Sequence, residues 1–181
     1  MARNFYSSAY TGGVPFRALG DQPTEITATA AIPAAYVLQT ADKIYMMKIG
    51  ANMQVLEVTM RSEDIDTDAT PAVTLHCGYE AVTASDDPDA FVAASTIGQA
   101  GGSIRVENGG DDAFAVGGLA PIAETIDVLV TAGTAADANS ATTAKKITVT
   151  MKIAPVVAVA DANQPSYIYT DRYDTSGVST T

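Results

Sequence analysis

Three stretches of this chain alternate apolar and polar residues with a period of two, and that alternation restricts the fold more than any other feature. Over residues 145–153, Ile147, Val149, Met151 and Ile153 share one face and Thr148, Thr150 and Lys152 the other. Over residues 72–79, Val73, Leu75, Cys77 and Tyr79 alternate with Thr74, His76 and Gly78. Over residues 53–60, Leu56, Val58 and Met60 lie opposite Glu57 and Thr59. Successive side chains of a strand point to opposite faces, so each stretch predicts a strand with one buried face. A sheet with one apolar face needs a second layer to cover it.

The remaining segments extend the same pattern. Residues 25–31 predict a short edge strand stopped by Pro33, and residues 36–40, 43–49 and 124–131 predict further strands. Gly50, Ala51 and Asn52 form a turn, since Gly and Asn tolerate positive φ. Residues 104–106 and 113–116 predict short strands about the turn Asn108-Gly109-Gly110-Asp111, and 156–159 a last edge strand. Residues 86–95 predict the chain's one short helix, capped by Asp87, with Pro88 and Asp89 in the first turn. With roughly eight to ten short strands, the expected fold class is all-β, a jelly-roll-like β-sandwich. Three regions follow: an extended N-terminal arm (1–34), the sandwich domain (35–159) and an extended C-terminal tail (160–181).

Composition removes several functions. The net charge is −11, and residues 61–140 carry fourteen acidic residues against two arginines. Nucleic acid is disfavoured, because phosphate binding needs clustered Lys and Arg. No apolar stretch approaches the ~20 residues of a membrane span, and residues 1–10 lack the apolar core of a secretory signal. The lone cysteine, Cys77, sits on an inward face and predicts a packed thiol. His76, the only histidine, points outward, so no Cys–His pair forms locally and no His-based zinc site has enough ligands.

Asp64, Asp66 and Asp68 resemble the start of a calcium loop, but Ala69 and Leu75 stand where an EF-hand needs Gly and Glu. They read as a solvated acidic loop, with an irregular calcium site as the alternative. The Gly101-Gly102 and Gly117-Gly118 pairs lack the trailing Lys-Ser/Thr of a phosphate loop and read as turns. No catalytic residue, metal site or cofactor site is expected. The two arms, by contrast, carry aromatic and cationic side chains in a backbone of Gly, Ser and Pro. Arg3, Phe5, Tyr6, Tyr10, Phe16 and Arg17 at one end, and Tyr167, Tyr169, Arg172 and Tyr173 at the other, are the expected partner-binding residues. An N-terminal arm lying on its own domain is the equal alternative.

Residues 42–80 join strand, Gly50-Ala51 turn, strand, an Asp-rich loop with the Asp66-Thr67 step, and a strand ending in Gly78-Tyr79. With the following Asp-rich segment 86–95, this stretch resembles the capsid decoration (cement) and head-associated structural proteins of tailed bacteriophages. The resemblance implies a non-enzymatic virion protein on the capsid exterior, assembled in the host cytoplasm, often trimeric. Its partner would be the major capsid protein, whose neighbouring capsomers it would clamp. A receptor- or carbohydrate-binding sandwich module is the alternative, which calcium at Asp64, Asp66 and Asp68 would favour.

Overall fold

The alternating stretches do form strands. A computed structural model describes residues 3–11, 15–16, 22–40, 42–107 and 122–156. In chain order the elements are β1 (Asn4–Tyr6), the single helical turn α1 (Ser8–Thr11), β2 (Thr24–Ile32), β3 (Lys43–Ile49), β4 (Met53–Ser62) and β5 (Thr74–Ala81). They continue with β6 (Asp87–Ser95), β7 (Gly102–Glu107), β8 (Ile126–Thr134) and β9 (Lys145–Pro155). One sheet has the order β1-β3-β8-β5-β6 and the other β2-β9-β4-β7.

The pairing is nested. Strand β5 pairs with β6, β4 with β7, β3 with β8 and β2 with β9, all antiparallel, as though one long hairpin had been rolled up. Strands β4 and β5 also pair with β9 and β8, which closes the two sheets. This is the jelly-roll form of the β-sandwich. Strand β1 adds parallel to the outer edge of β3.

Register explains the composition of the core strands. Ile26, Ala28 and Ala30 of β2 lie opposite Met151, Val149 and Ile147 of β9, all inward and buried. Thr27 and Thr29 lie opposite Thr150 and Thr148 on the outer face, and the paired hydroxyls are 3.0 and 2.9 Å apart. The core between the sheets adds Ile44, Met47 and Ile49 from β3 with Val128 and Val130 from β8.

Four expectations are corrected. Residues 86–95 form strand β6, not a helix. Leu75, Cys77 and Tyr79 of β5 lie opposite Ser95, Val92 and Asp87, so β6 carries extra residues at its irregularities and buries Ala90, Phe91 and Val92 in a row. Ladder pairing with β5 outweighs the capping signals of Asp87 and Pro88. Residues 36–40 are loop, with Leu38 fully buried as a plug at the end of the core. Leu56 is only half-buried, because a bulge between Val55 and Glu57 breaks the period and turns Val55 inward instead. The strand at 25–31 holds as the edge strand β2, ending before Pro33. Residues 108–111, 113–116, 117–118 and 157–159 lie outside the described residues. The fourth correction concerns Asp66 and is described below.

Gly78 has a specific role. A Cβ there would sit 2.1 Å from the Asp87 carbonyl oxygen and 2.3 Å from the carbonyl carbon of Pro88. Only glycine lets the start of β6 cross β5 so closely.

The sandwich has two distinct ends. At one, loops 33–40, 63–73, 96–101 and 135–144 are laced together: Ala35 N–H donates to Ala141 C=O, Ala136 to Leu38, Thr67 to Ala138 and Ile65 to Gly98. At the other end lie the β3–β4 turn, the β5–β6 loop and residues 122–125. Asn52 N–H donates to Ile122 C=O there, and Val156 N–H donates to Asn52 C=O as the chain leaves β9.

Val149 is fully buried at the centre of β9. Val149→Asp is expected to abolish the folded state, because a lone buried carboxylate costs several kcal/mol; a soluble variant with an unchanged melting temperature would contradict the register. In urea unfolding, Val55→Ala is expected to cost roughly 2 kcal/mol and Leu56→Ala less, the reverse of their sizes.

Candidate docking surfaces

The N-terminal segment is held residue by residue against its own domain. Arg3 N–H donates to Asp42 Oδ1 at 2.7 Å, and its carbonyl accepts from Lys43 N–H. Strand β1 then pairs Asn4, Phe5 and Tyr6 with Lys43, Ile44 and Tyr45. Ser7 ends the strand and starts α1. Its N–H donates to Tyr45 C=O, its hydroxyl accepts from Tyr10 N–H at 3.0 Å, and the same hydroxyl donates to the Met46 carbonyl. A serine accepting an amide three residues on is an N-cap.

Asp42 anchors this arrangement. It is fully buried and also accepts from Gln39 N–H at 2.8 Å and Tyr36 O–H at 2.6 Å. Burial and the bond to Asp42 push the Tyr36 phenol up to about 12. Phe5 meets the Tyr36 ring edge-on at 5.1 Å, and the Arg3 guanidinium lies 5.0 Å from its centroid. Phe16 extends the edge, its N–H donating to Lys48 C=O and its carbonyl accepting from Gly50 N–H. Arg3, Phe5, Tyr10 and Phe16 therefore lie on the domain itself. Arg17, Tyr167, Tyr169, Arg172 and Tyr173 lie outside the described residues.

The outer face of the five-stranded sheet carries two parallel Lys–carboxylate–Tyr sets. Asp127 takes Lys48 Nζ at 2.7 Å and Tyr10 O–H at 3.0 Å. Glu80 takes Lys43 Nζ and, at 2.9 Å, Tyr45 O–H. Lys48 also lies 4.7 Å from the centroid of Tyr10. The bond to Asp127 raises the Lys48 ammonium above its usual range; burial, with the carboxylate behind it, raises both tyrosines. Tyr6 stacks on Tyr45 at 5.3 Å with 11° between the rings and leaves half its surface exposed.

The acidic loop is not the solvated loop expected. Asp66 is buried, and its carboxylate accepts four main-chain amides: Ala72 and Val73 on Oδ2, Asp137 and Ala138 on Oδ1, at 2.9–3.2 Å. Burial alone would raise this carboxyl, but the four donors outweigh it and hold it below the usual range. Asp64 accepts from Asp66 N–H and Asp68 from Thr70 N–H, so the D-x-D-x-D spacing builds turns. Among the described residues, no group of three or more His, Cys, Asp or Glu is placed to hold a metal ion. His76 lies on the outer face as expected; its Nδ1 accepts from Ala94 N–H at 3.2 Å and stands 3.9 Å from Asp89. Cys77 is fully buried, which pushes its thiol up to about 12.

The opposite end is built around Glu124. Its carboxylate accepts from Thr83 N–H, Thr83 O–H and Ala84 N–H at 2.8–3.1 Å, and Asp86 Oδ1 accepts from Ala81 N–H. The amides hold the Glu124 carboxyl below its usual range. The loop so fixed presents Val82, 80% exposed. Sequence reading missed Val82, which carries no motif. It also missed Asp42, Tyr45, Lys48, Glu80 and Asp127, whose only signal is the broken alternation of Tyr45-Met46-Met47-Lys48.

Asp66 makes stability pH-dependent. A carboxylate depressed in the fold contributes stability above its unfolded pKa of about 3.9, and that stability is lost as pH falls through the folded value. Asp66→Asn is expected to lower stability at pH 7 by roughly 2–4 kcal/mol, since amide hydrogens would then face an NH₂ group. Thermal melts from pH 7 to pH 2 should show this acid limb in the native protein and a flatter one in the variant.

No protein-family profile and no curated protein sequence matches the chain. Solved structures do. A chain in the capsid of Ralstonia phage GP4 is similar, with a TM-score of 0.65 and 21% identity, covering 86% of this chain and 99% of that one. A chain in the capsid asymmetric unit of cyanophage Pam1 gives a TM-score of 0.52 and 19% identity, covering 82% and 98%. The chain thus shares its fold, almost end to end of theirs, with chains found in two phage capsid structures.

Proposed function

We propose that this chain is a non-enzymatic structural virion protein of a phage. It would bind the outside of the capsid, contact the major capsid protein and stabilise neighbouring capsomers, as a decoration protein does. The observation that carries this reading is the near-complete coverage of the two capsid chains, 99% and 98% of their lengths. Those chains contain little beyond the jelly roll that this chain also has. The resemblance of residues 42–80 to decoration proteins points the same way and is the ground for proposing a trimer.

The use of polar groups supports the reading. Asp42, Asp66, Glu80, Glu124 and Asp127 are each engaged by main-chain or side-chain donors of the same molecule. The carbohydrate-binding alternative loses its calcium argument, because both oxygens of Asp66 already accept amides. For attachment we assign Tyr6, which is half exposed, with Arg17, Tyr167, Tyr169, Arg172 and Tyr173. Arg3, Phe5, Tyr10 and Phe16 position the N-terminal arm that carries Tyr6. Each buried aromatic contributes on the order of 1–3 kcal/mol, opposed by the ordering of the arm; many copies on a lattice multiply the small remainder.

The test is co-sedimentation with heads of the parent phage that lack this protein. Full-length protein is expected to bind them and to raise their melting temperature. Protein truncated after residue 156 is expected to keep its far-UV spectrum and lose most of its occupancy. Equal occupancy by both forms would remove the tail from the attachment, and bare heads with full-length protein would remove the capsid reading.

A further inference from the structure

The two ends of the sandwich differ in the side chains that project from them. The laced end exposes Glu63, Asp68 and Asp137. Exposed Arg61 and Lys146 lie among these carboxylates, and Asp66 already accepts four amides. At the opposite end Val82 projects at 80%, Phe16, Ala51, Ile122 and Val156 are partly exposed and Ala84 is exposed, and the exposed carboxylates of Asp86 and Asp89 stand beside them. Phe16, Ala51, Ile122 and Val156 are brought together by main-chain bonds from Gly50 to Phe16, Asn52 to Ile122 and Val156 to Asn52.

Val82 is held out rather than left loose. Glu124 binds both amides that follow it, and Asp86 binds the Ala81 amide that precedes it. A loop fixed in advance loses little freedom on docking, so an apolar side chain at its tip is suited to anchor an interface. The carboxylates that fix it, Asp86 and Glu124, disfavour a phosphate-bearing partner such as nucleic acid or anionic lipid. The chain beyond Val156, 25 residues containing Tyr167, Tyr169, Arg172 and Tyr173, departs from this same end.

We infer that the end carrying Val82 is the docking end, and that it seats on a folded protein surface offering an apolar recess bordered by basic side chains. The laced end then points away from the partner. This assignment rests on the capsid reading above and adds to it the orientation of the subunit and its anchor residue.

The burial of Cys77 makes the test specific, because an introduced surface cysteine is the thiol that a maleimide reaches. Val82→Cys and Ala69→Cys, each at an exposed position on an opposite end, are coupled to a bulky polyethylene-glycol maleimide and checked by far-UV spectrum for unchanged fold. Both are then sedimented with undecorated heads beside the unlabelled variants. The adduct at residue 82 is expected to lower occupancy at least tenfold, while the adduct at residue 69 stays within twofold of unlabelled protein. Loss confined to the residue 69 adduct, or equal occupancy of the two adducts whether high or absent, overturns the assignment. Failure of the unlabelled native protein to bind is a separate result, which removes the capsid reading and the orientation with it.

Discussion

The antiparallel ladder that holds β9 between β2 and β4 is the interaction on which the rest of the sandwich depends. Its inward side chains, Ile147, Val149, Met151 and Ile153, are fully buried and meet partners on both sides. On the β4 side Val149 and Met151 lie opposite Met60 and Val58; on the β2 side they lie opposite Ala28 and Ile26. Large residues fill the middle of the sheet and alanines thin its edge. That thin edge is where β1 and α1 pack, with Phe5 and Ala9 against the core. The alanines of residues 24–32 are therefore places where the N-terminal segment closes the side of the sandwich, rather than weak strand formers.

A second theme is the use of carboxylates as fasteners. Asp42 gathers amides from residues 3 and 39, Asp66 from residues 72, 73, 137 and 138, and Glu124 from residues 83 and 84. Each joins segments distant in sequence. With one cysteine in the chain, intramolecular disulfides cannot do this. A charged acceptor bound to several amides is among the stronger hydrogen-bonding arrangements. Part of the acidic excess of residues 61–140 is thus structural, and reading it as a ligand site would misassign it.

Legibility followed the regularity of the ladder. Strands β5 and β9 and the edge strand β2 were readable because their period of two is unbroken where it faces the core. Leu56 was misplaced because a bulge inserts one residue into β4, and a one-residue shift exchanges the faces. Strand β6 was misread for the same physical reason in stronger form. Its irregular pairing buries three residues in succession, while Asp87 and Pro88 mimic a helix start. Aromatic content marked the N-terminal arm as a contact segment, but the residues that receive it were invisible: Asp42, Tyr36 and Tyr45 are brought to it by register, which only tertiary structure sets. Val82 had no signature at all, since exposure of a single valine depends on how its loop is tied down.

The nesting of the hairpins also sets an order in time. Strands β5 and β6 are close in sequence and can pair early, whereas Ile32 must find Lys145 and Thr24 must find Ile153. Contacts of such separation form slowly, because the loop must close before the contact rewards it. During synthesis the four-stranded sheet stays open until β9 has been made, and β2 and β4 spend that interval with the edges that β9 pairs unmatched. Residues 157–181 follow β9 and are synthesised after it. The jelly-roll connectivity therefore works as a clock: residues 157–181 emerge only after every strand of the four-stranded sheet exists.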